Sequence, residues 1–314
     1  MILPDEPEAG KPVPWVWYAP TLRGLPGKVE RWMFDRFLKA GIAIAGIDVG
    51  ESYGSPDGRK IYSALYQELV EQRGLAKEAC LLARSRGGLM LYCWAAENPG
   101  KVKCVAGIYP VCNIISYPGL GRACGAYGLT AEQLKAELSK HNPVDRLDAL
   151  AKAKVPIFHI HGDNDTVVPL EANSGLLATR YKKLGGEMTL EVVKGQGHNM
   201  WSGWFQCQAL VDFVITHART EEPNKPSKDG RSLLGRAGQG ANSQPKTTPS
   251  DATPLRSNGS NASGGEYRSV FLKKFDRQEW QKLADAGGDL MVLGSEVTRN
   301  APVPGFEGWA KNNE

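Results

Sequence analysis

The sequence predicts an α/β fold: a mostly parallel sheet with helices on both faces. Two observations predict it. Short, near-continuous apolar runs alternate with longer amphipathic stretches, as buried parallel strands and their crossover helices do. The alternation then stops near His217, which bounds the folded part. With 314 residues, 41% of them hydrophobic, the chain is long enough to bury a sizeable core.

The elements follow in order. Val13–Tyr18 reads as a strand, and Val29–Ala40 has helical periodicity. Ile42–Val49 is a continuous apolar run and a second strand, followed by a helical stretch over about Arg59–Arg73. Cys80–Ala83 is the core of a third strand, and Gly87–Glu97 a helix that stops before Asn98-Pro99-Gly100. Val102–Tyr109, Val155–His161 and Met188–Val193 are the remaining strands. Helical patterns cover Glu132–Ser139, Glu171–Leu184 and Trp204–His217.

Residues 1–218 therefore form one domain. From Arg219 to Glu266 there is no Val, Ile, Met, Cys or aromatic residue, so too little apolar surface is available to offset the entropy of ordering. Residues 219–266 are expected to be a disordered linker. Residues 267–314 regain apolar residues but are short for an independent core; they are expected to dock on the main domain or to begin a further one.

Composition excludes several classes of function. The formal net charge is +4, and it is spread thin: residues 1–218 and the linker each carry +2, and the tail is balanced. No concentrated basic face is present, so nucleic acid is not an expected partner. No apolar run approaches the roughly 18–20 residues of a membrane span. No signal peptide is visible at the N-terminus, which reads as cytoplasmic, or as secreted or periplasmic if a leader has been trimmed. The six cysteines form no Cys-x-x-Cys pair, so buried free thiols are expected rather than zinc or a disulfide framework. No motif calls for a metal or organic cofactor.

Three segments carry chemistry. In Cys80-Leu81-Leu82-Ala83-Arg84-Ser85-Arg86-Gly87-Gly88 an apolar strand meets a small residue, a serine and two glycines that open a helix. This is the layout of a nucleophile elbow, with Ala83 where Gly is usual. Small residues are needed because the serine sits on a strained turn wedged between strand and helix. The Arg86 amide, at the start of that helix, can face a developing oxyanion. A second donor is expected from the loop after the first strand, where Pro20 has no N–H, leaving Thr21 or Leu22.

The second segment is His161-Gly162-Asp163-Asn164-Asp165-Thr166-Val167-Val168-Pro169, which ends a strand at the edge where α/β sheets bind ligands. Asp163 and Asp165 both qualify as the acid that orients an imidazole. The third is Gly195-Gln196-Gly197-His198. His159 and His161 lie inside a strand, His141 in a polar loop and His217 at a helix end, so His198 alone sits where a general base is wanted. Ser, Asp and His after three separate strands, in that order, match the α/β-hydrolase order.

With those phrases, and with Trp15-Val16-Trp17-Tyr18-Ala19-Pro20 and Ile47-Asp48-Val49-Gly50-Glu51-Ser52-Tyr53-Gly54, residues from about Trp15 to His217 resemble an α/β hydrolase of the dienelactone-hydrolase and prolyl-oligopeptidase-like esterase group. The resemblance implies the α/β-hydrolase fold with a small lid over Asn113–Lys154. It also implies a catalytic Ser85, His198 and Asp165, the last chosen over Asp163 as the final Asp before Val-Val-Pro. Relatives commonly carry Gly-Phe before the serine, where this chain has Ala83-Arg84.

The expected activity is a serine hydrolase cleaving carboxylic esters through an acyl-enzyme. Its expected substrate is a small-molecule or polysaccharide ester, with carbohydrate-linked acetyl, methyl or feruloyl groups implied by the relatives. A peptidase ranks lower, since the chain has no long N-terminal domain to filter peptides. A non-catalytic binding relative is the alternative from another class. Asp48 and Tyr53 after the second strand, and Trp201 and Trp204 after His198, are candidate substrate contacts, with loop hydrogen bonding or packing as the competing roles.

Overall fold

The computed structural model describes residues 1–5, 7–22 and 24–220, and the backbone of Arg268–Phe271, Met291–Leu293 and Glu296–Arg299. Six strands form one sheet: β1 (Trp15–Ala19), β2 (Ala43–Ala45), β3 (Ala79–Arg84), β4 (Val102–Ile108), β5 (Ile157–Gly162) and β6 (Met188–Val193). Their order is β2-β1-β3-β4-β5-β6, and every pair is parallel. The chain is an α/β-hydrolase fold.

The helices are α1 (Arg31–Lys39), α2 (Pro56–Gln67), α3 (Gly87–Glu97), α4 (Leu120–Ala123), α5 (Ala131–Ala136), α6 (Leu138–His141), α7 (Asp148–Lys152), α8 (Ser174–Lys183), α9 (Ser202–Phe205) and α10 (Gln208–Arg219). They cover both faces of the sheet, as the apolar runs require. Alternate residues of β1 enter opposite cores. Trp15 and Trp17 pack with Tyr62 of α2 and Trp94 of α3. Val16 and Tyr18 pack with Phe34 and Phe37 of α1 and with Leu210 and Val214 of α10.

From β1 the chain runs outward to β2, then returns to place β3 on the other side of β1. The carboxyl ends of β1 and β3 therefore meet at a switch point, where ligands bind in open α/β sheets. Over Asn113–Lys154 the expected lid is a set of short helices with its own apolar contacts, among them Ile114, Ala123 and Leu134 packed with Leu89 of α3 and Val168.

The structure trims several expected elements. The second strand ends at Ala45 rather than Val49. It is the edge strand, bridged among the described residues by Ile2, and its pairing with β1 ends at Trp17↔Ala45 although β1 itself continues to Ala19 against β3. The expected Trp204–His217 helix divides into α9 and α10, because Cys207 Sγ accepts the Leu210 amide at 3.4 Å as a cap on the second. The helix expected from Glu171 starts at Ser174, since the Asn173 side chain is drawn away to the amides of Cys112 (2.9 Å) and Asn113 (3.2 Å). Glu132–Ser139 is two short helices, the first opened by a capping box between Thr130 and Gln133.

All six cysteines are free, and five are buried. Among the described residues no helix is long and apolar enough to cross a membrane. In the expected tail, three short strands form an antiparallel sheet of order β7-β9-β8 (β7 Arg268–Phe271, β8 Met291–Leu293, β9 Glu296–Arg299). The rest of the tail, and all of the expected linker beyond Thr220, lie outside the described residues.

Candidate active site

Ser85 stands between β3 and α3 with φ of +48°, a left-handed backbone that a non-glycine residue adopts only when its surroundings hold it there. Three backbone hydrogen bonds do so. The Ser85 amide donates to the Ile108 carbonyl (3.0 Å), and the Ser85 carbonyl accepts from Gly88 (2.9 Å) and Val111 (2.8 Å). Both glycines are steric necessities. A Cβ on Gly87 would lie 2.1 Å from the Ala19 carbonyl oxygen, and one on Gly88 would lie 2.3 Å from that of Val111. Ala83 is fully buried and lies in the sheet between Ala19 and Gly107, so its methyl group meets small neighbours on both sides.

Arg84 departs from the relatives without disturbing this turn. Its guanidinium lies 11% exposed against the fully buried Glu30, and Nη1 donates to Glu30 Oε1. Glu30 Oε1 also accepts the Tyr18 hydroxyl at 2.7 Å, and Oε2 the Gly27 amide at 2.8 Å. The other arm of Arg84 reaches Met200 Sδ at 3.1 Å, and its carbon lies 4.9 Å from the Phe205 ring centre.

His198 Nε2 lies 2.9 Å from Ser85 Oγ, and His198 Nδ1 lies 2.8 Å from Asp165 Oδ2. The structure thus separates the two aspartates. Asp165 is buried, and its Oδ1 accepts the amides of Val167 (3.0 Å) and Val168 (2.8 Å). Asp163 is exposed and accepts the Gly195 amide at 2.6 Å, tying the base of the histidine loop to the acid loop. Burial works against the charged form of Asp165. Hydrogen bonds from His161, His198 and the Val168 amide outweigh it and hold the carboxyl well below the usual carboxylate range. Such an arrangement can draw the serine proton onto His198 and stabilise the imidazolium that results.

Of the expected oxyanion donors, Arg86 follows the serine in sequence, and Thr21 and Leu22 lie in the loop after β1. The Arg86 amide is the N-cap of α3, where no intrahelical acceptor exists. The loop after β1 lies against the elbow at Gly87. In it Thr21 is buried, whereas Leu22 is engaged with Leu25, whose amide donates to the Leu22 carbonyl at 2.8 Å.

The remaining candidates divide. Asp48 accepts the Gly50 amide at 2.6 Å and shapes its own loop, and burial pushes its carboxyl up. Tyr53 packs with Tyr117 and Tyr127 of the lid, and its carbonyl accepts the Tyr127 hydroxyl at 2.8 Å. Beside it Arg86 pairs with Glu51. Trp201 is 41% exposed, but Trp204 is 0% exposed and its indole N–H donates to Asn199 Oδ1 at 2.9 Å. The expectation of a substrate contact is therefore corrected for Trp204, which is a packing residue beneath Tyr109 and Trp201.

Tyr109 and His161 were not singled out by the sequence. Tyr109 has φ of +36°, and its ring centre lies 4.3 Å from that of His198; nothing in the apolar run ending β4 marks it. His161 contacts Asp165, and the signal for it was the alternation His159-Ile160-His161, which puts both imidazoles on one face of β5.

The prolyl oligopeptidase family model matches residues 63–215. Solved structures with similar folds include a putative dipeptidyl aminopeptidase IV from Bacteroides ovatus, at 15% identity and a TM-score of 0.54, covering 69% of this chain and 32% of that one. The chain thus spans about a third of that protein's length. An S-formylglutathione hydrolase from Agrobacterium tumefaciens is similar at 16% identity and a TM-score of 0.54, covering 69% and 87%. A truncated carbohydrate esterase from gut microbiota is similar at 15% identity and a TM-score of 0.51, covering 69% and 90%.

Proposed function

We propose that the chain is a serine hydrolase of prolyl-oligopeptidase-like type and that it cleaves carboxylic esters through an acyl-enzyme on Ser85. The observation that carries this is the unbroken line from Ser85 Oγ through His198 to Asp165, at 2.9 and 2.8 Å, on a serine held at positive φ.

Ser85 Oγ attacks the ester carbonyl carbon while His198 Nε2 takes its proton. The carbonyl oxygen becomes an oxyanion facing the Arg86 amide and the Thr21 amide of the β1 loop. Asp165 keeps the proton on His198 Nδ1 and offsets the charge of the imidazolium. Collapse of the tetrahedral intermediate breaks the C–O bond, and the alcohol leaves with the proton from Nε2. Water, deprotonated by His198, then attacks the acyl-serine, releasing the acid and restoring the Ser85 hydroxyl.

Supporting esters as substrates are the short lid and the exposed Trp201 on the histidine loop, which fit a bulky or polymer-borne ester, carbohydrate-linked acetyl, methyl or feruloyl groups among them. The second reading, a peptidase, is favoured by the description of the matching family. A binding protein without activity would need a broken triad, and the three side chains stand within hydrogen-bond reach.

The test is a fluorophosphonate probe followed by an ester panel (acetyl, butyryl, feruloyl, methyl uronate) beside aminoacyl anilides. Labelling is expected on Ser85 and absent in Ser85→Ala, with p-nitrophenyl acetate turnover falling about 10⁴-fold or more in that variant. Unchanged turnover in Ser85→Ala would sink the proposal, and faster cleavage of anilides than esters would replace it with the peptidase reading.

A further inference from the structure

Behind the acid, the hydrogen bonds of two strand histidines run in a single direction. His159 and His161 are both 0% exposed. His161 Nε2 lies 2.8 Å from the Val168 carbonyl oxygen, with a second, longer contact of 3.4 Å to Asp165 Oδ2. Both partners only accept, so Nε2 carries the proton. Nδ1 of the neutral ring is then an acceptor, and the Ser174 hydroxyl, 2.8 Å away, donates to it. That hydroxyl has one proton, so its lone pair accepts from His159 Nδ1–H at 2.9 Å. His159 Nε2 is left bare and accepts the Tyr92 hydroxyl at 2.7 Å.

The opposite direction is disfavoured. A charged His161 would reverse the bonds to Ser174 and His159, and turn Nε2–H of His159 toward Tyr92. The buried Tyr92 hydroxyl would then have no acceptor for its own proton among the described residues. Full burial also keeps His159 uncharged.

We propose that His161 is a positioning residue for the hydrolase reaction, its Nε2–H steadying the Asp165 carboxylate that orients His198, with its tautomer locked by Ser174, His159 and Tyr92. The proposal rests on the reading of Ser85, His198 and Asp165 as the triad. Asp165 Oδ1 is held by two amides and Oδ2 by His198, while His161 touches Oδ2 at 3.4 Å and binds the carbonyl of Val168, whose amide holds Oδ1. The groups facing His198 are Ser85 from the elbow, Asp165 from the β5 loop and Tyr109 from the end of β4. Arg84, paired with Glu30, reaches the same loop at Met200.

Two measurements test this on the full chain. The first, 15N NMR of the histidine rings at pH 7, needs no variant to fold. His161 is expected neutral with its proton on Nε2, and His159 neutral with its proton on Nδ1. A cationic His161, or one protonated on Nδ1, overturns the proposal.

The second is the rate of fluorophosphonate labelling and of p-nitrophenyl acetate hydrolysis at pH 7. In His161→Phe both are expected to fall about 10-fold through loss of the Nε2–H contact to Asp165 and of its hydrogen bond to the Val168 carbonyl, with KM little changed. His161→Gln, which restores an N–H, should recover part of the rate. A fall in which Gln is no better than Phe assigns His161 a packing role and overturns the proposal. An unmodified chain not labelled at Ser85 overturns the hydrolase reading and the proposal with it, whereas labelling with the wrong tautomers overturns the proposal alone.

Discussion

Arg84 precedes the nucleophile at a position where relatives carry an apolar side chain, and the chain accommodates its charge by burying a partner for it. Glu30 is 0% exposed and accepts from Arg84, Tyr18 and Gly27. Removing one member of such a pair leaves an uncompensated buried charge, which costs about 3–5 kcal/mol, whereas replacing both with apolar groups of similar size can be neutral. Glu30→Gln should therefore lower the free energy of unfolding by several kcal/mol, and Glu30→Leu combined with Arg84→Met by much less than the sum of the single changes. A double-mutant cycle in urea measures this coupling, and strict additivity would mean that the pair does not act as a unit. Sequence reading marked Arg84 as a departure from the relatives, but its partner lies on a different element, 54 positions away. No periodicity connects two such residues.

At the scale of the elements, the strands were legible because a strand buried on both faces writes a continuous apolar run. The helix α3 was legible to its end residues, since Gly87 opens it and Asn98-Pro99 closes it. What could not be read was where sheet pairing stops. Gly46, Ile47 and Val49 prolong the apolar run, yet pairing with β1 ends at Ala45 and Asp48 turns to accept the Gly50 amide. The elbow was legible as a pattern of small residues, and the structure supplies its cause in the closeness of β1 and α3. Gly87→Ala should push the two apart, since its Cβ would stand 2.1 Å from the Ala19 carbonyl oxygen, a backbone atom that cannot step aside. Overpacking of this kind costs about 1–3 kcal/mol. It also displaces the β1 loop that carries the Thr21 amide. We expect labelling of Ser85 by a fluorophosphonate to slow more than stability falls, read as a loss of rate at a temperature where the variant is still fully folded by circular dichroism. Wild-type labelling in Gly87→Ala would show that the contact yields without moving the donor.

Over the whole molecule, the cost of burying imidazoles appears as a dependence of stability on pH. Burial, reinforced by the nearby His161, pushes His159 down to about 3. The unfolded chain takes up this proton near pH 6.5, but the folded chain does not until about pH 3. A depressed pKa in the folded state contributes stability that is complete above the unfolded value and is lost as pH falls toward the folded one. Stability should therefore decline from about pH 6.5 downward, by about 1.4 kcal/mol per pH unit from this residue alone. His141 is shifted in the same direction, by burial first and then by Arg59, and adds to the decline. Asp165, whose carboxyl is also held low, begins its own loss only below about pH 3.9, where the unfolded carboxyl protonates. Urea midpoints measured at half-unit steps from pH 8 to 4 should be level above 7 and fall below 6.5 with a constant m-value. In His159→Gln, which cannot titrate, most of that slope should disappear, even though the variant starts from a lower plateau. A midpoint in the unmodified chain that stays level to pH 4.5 would mean that His159 is protonated in the fold, and the one-way hydrogen-bond chain from Tyr92 to Asp165 could not then exist.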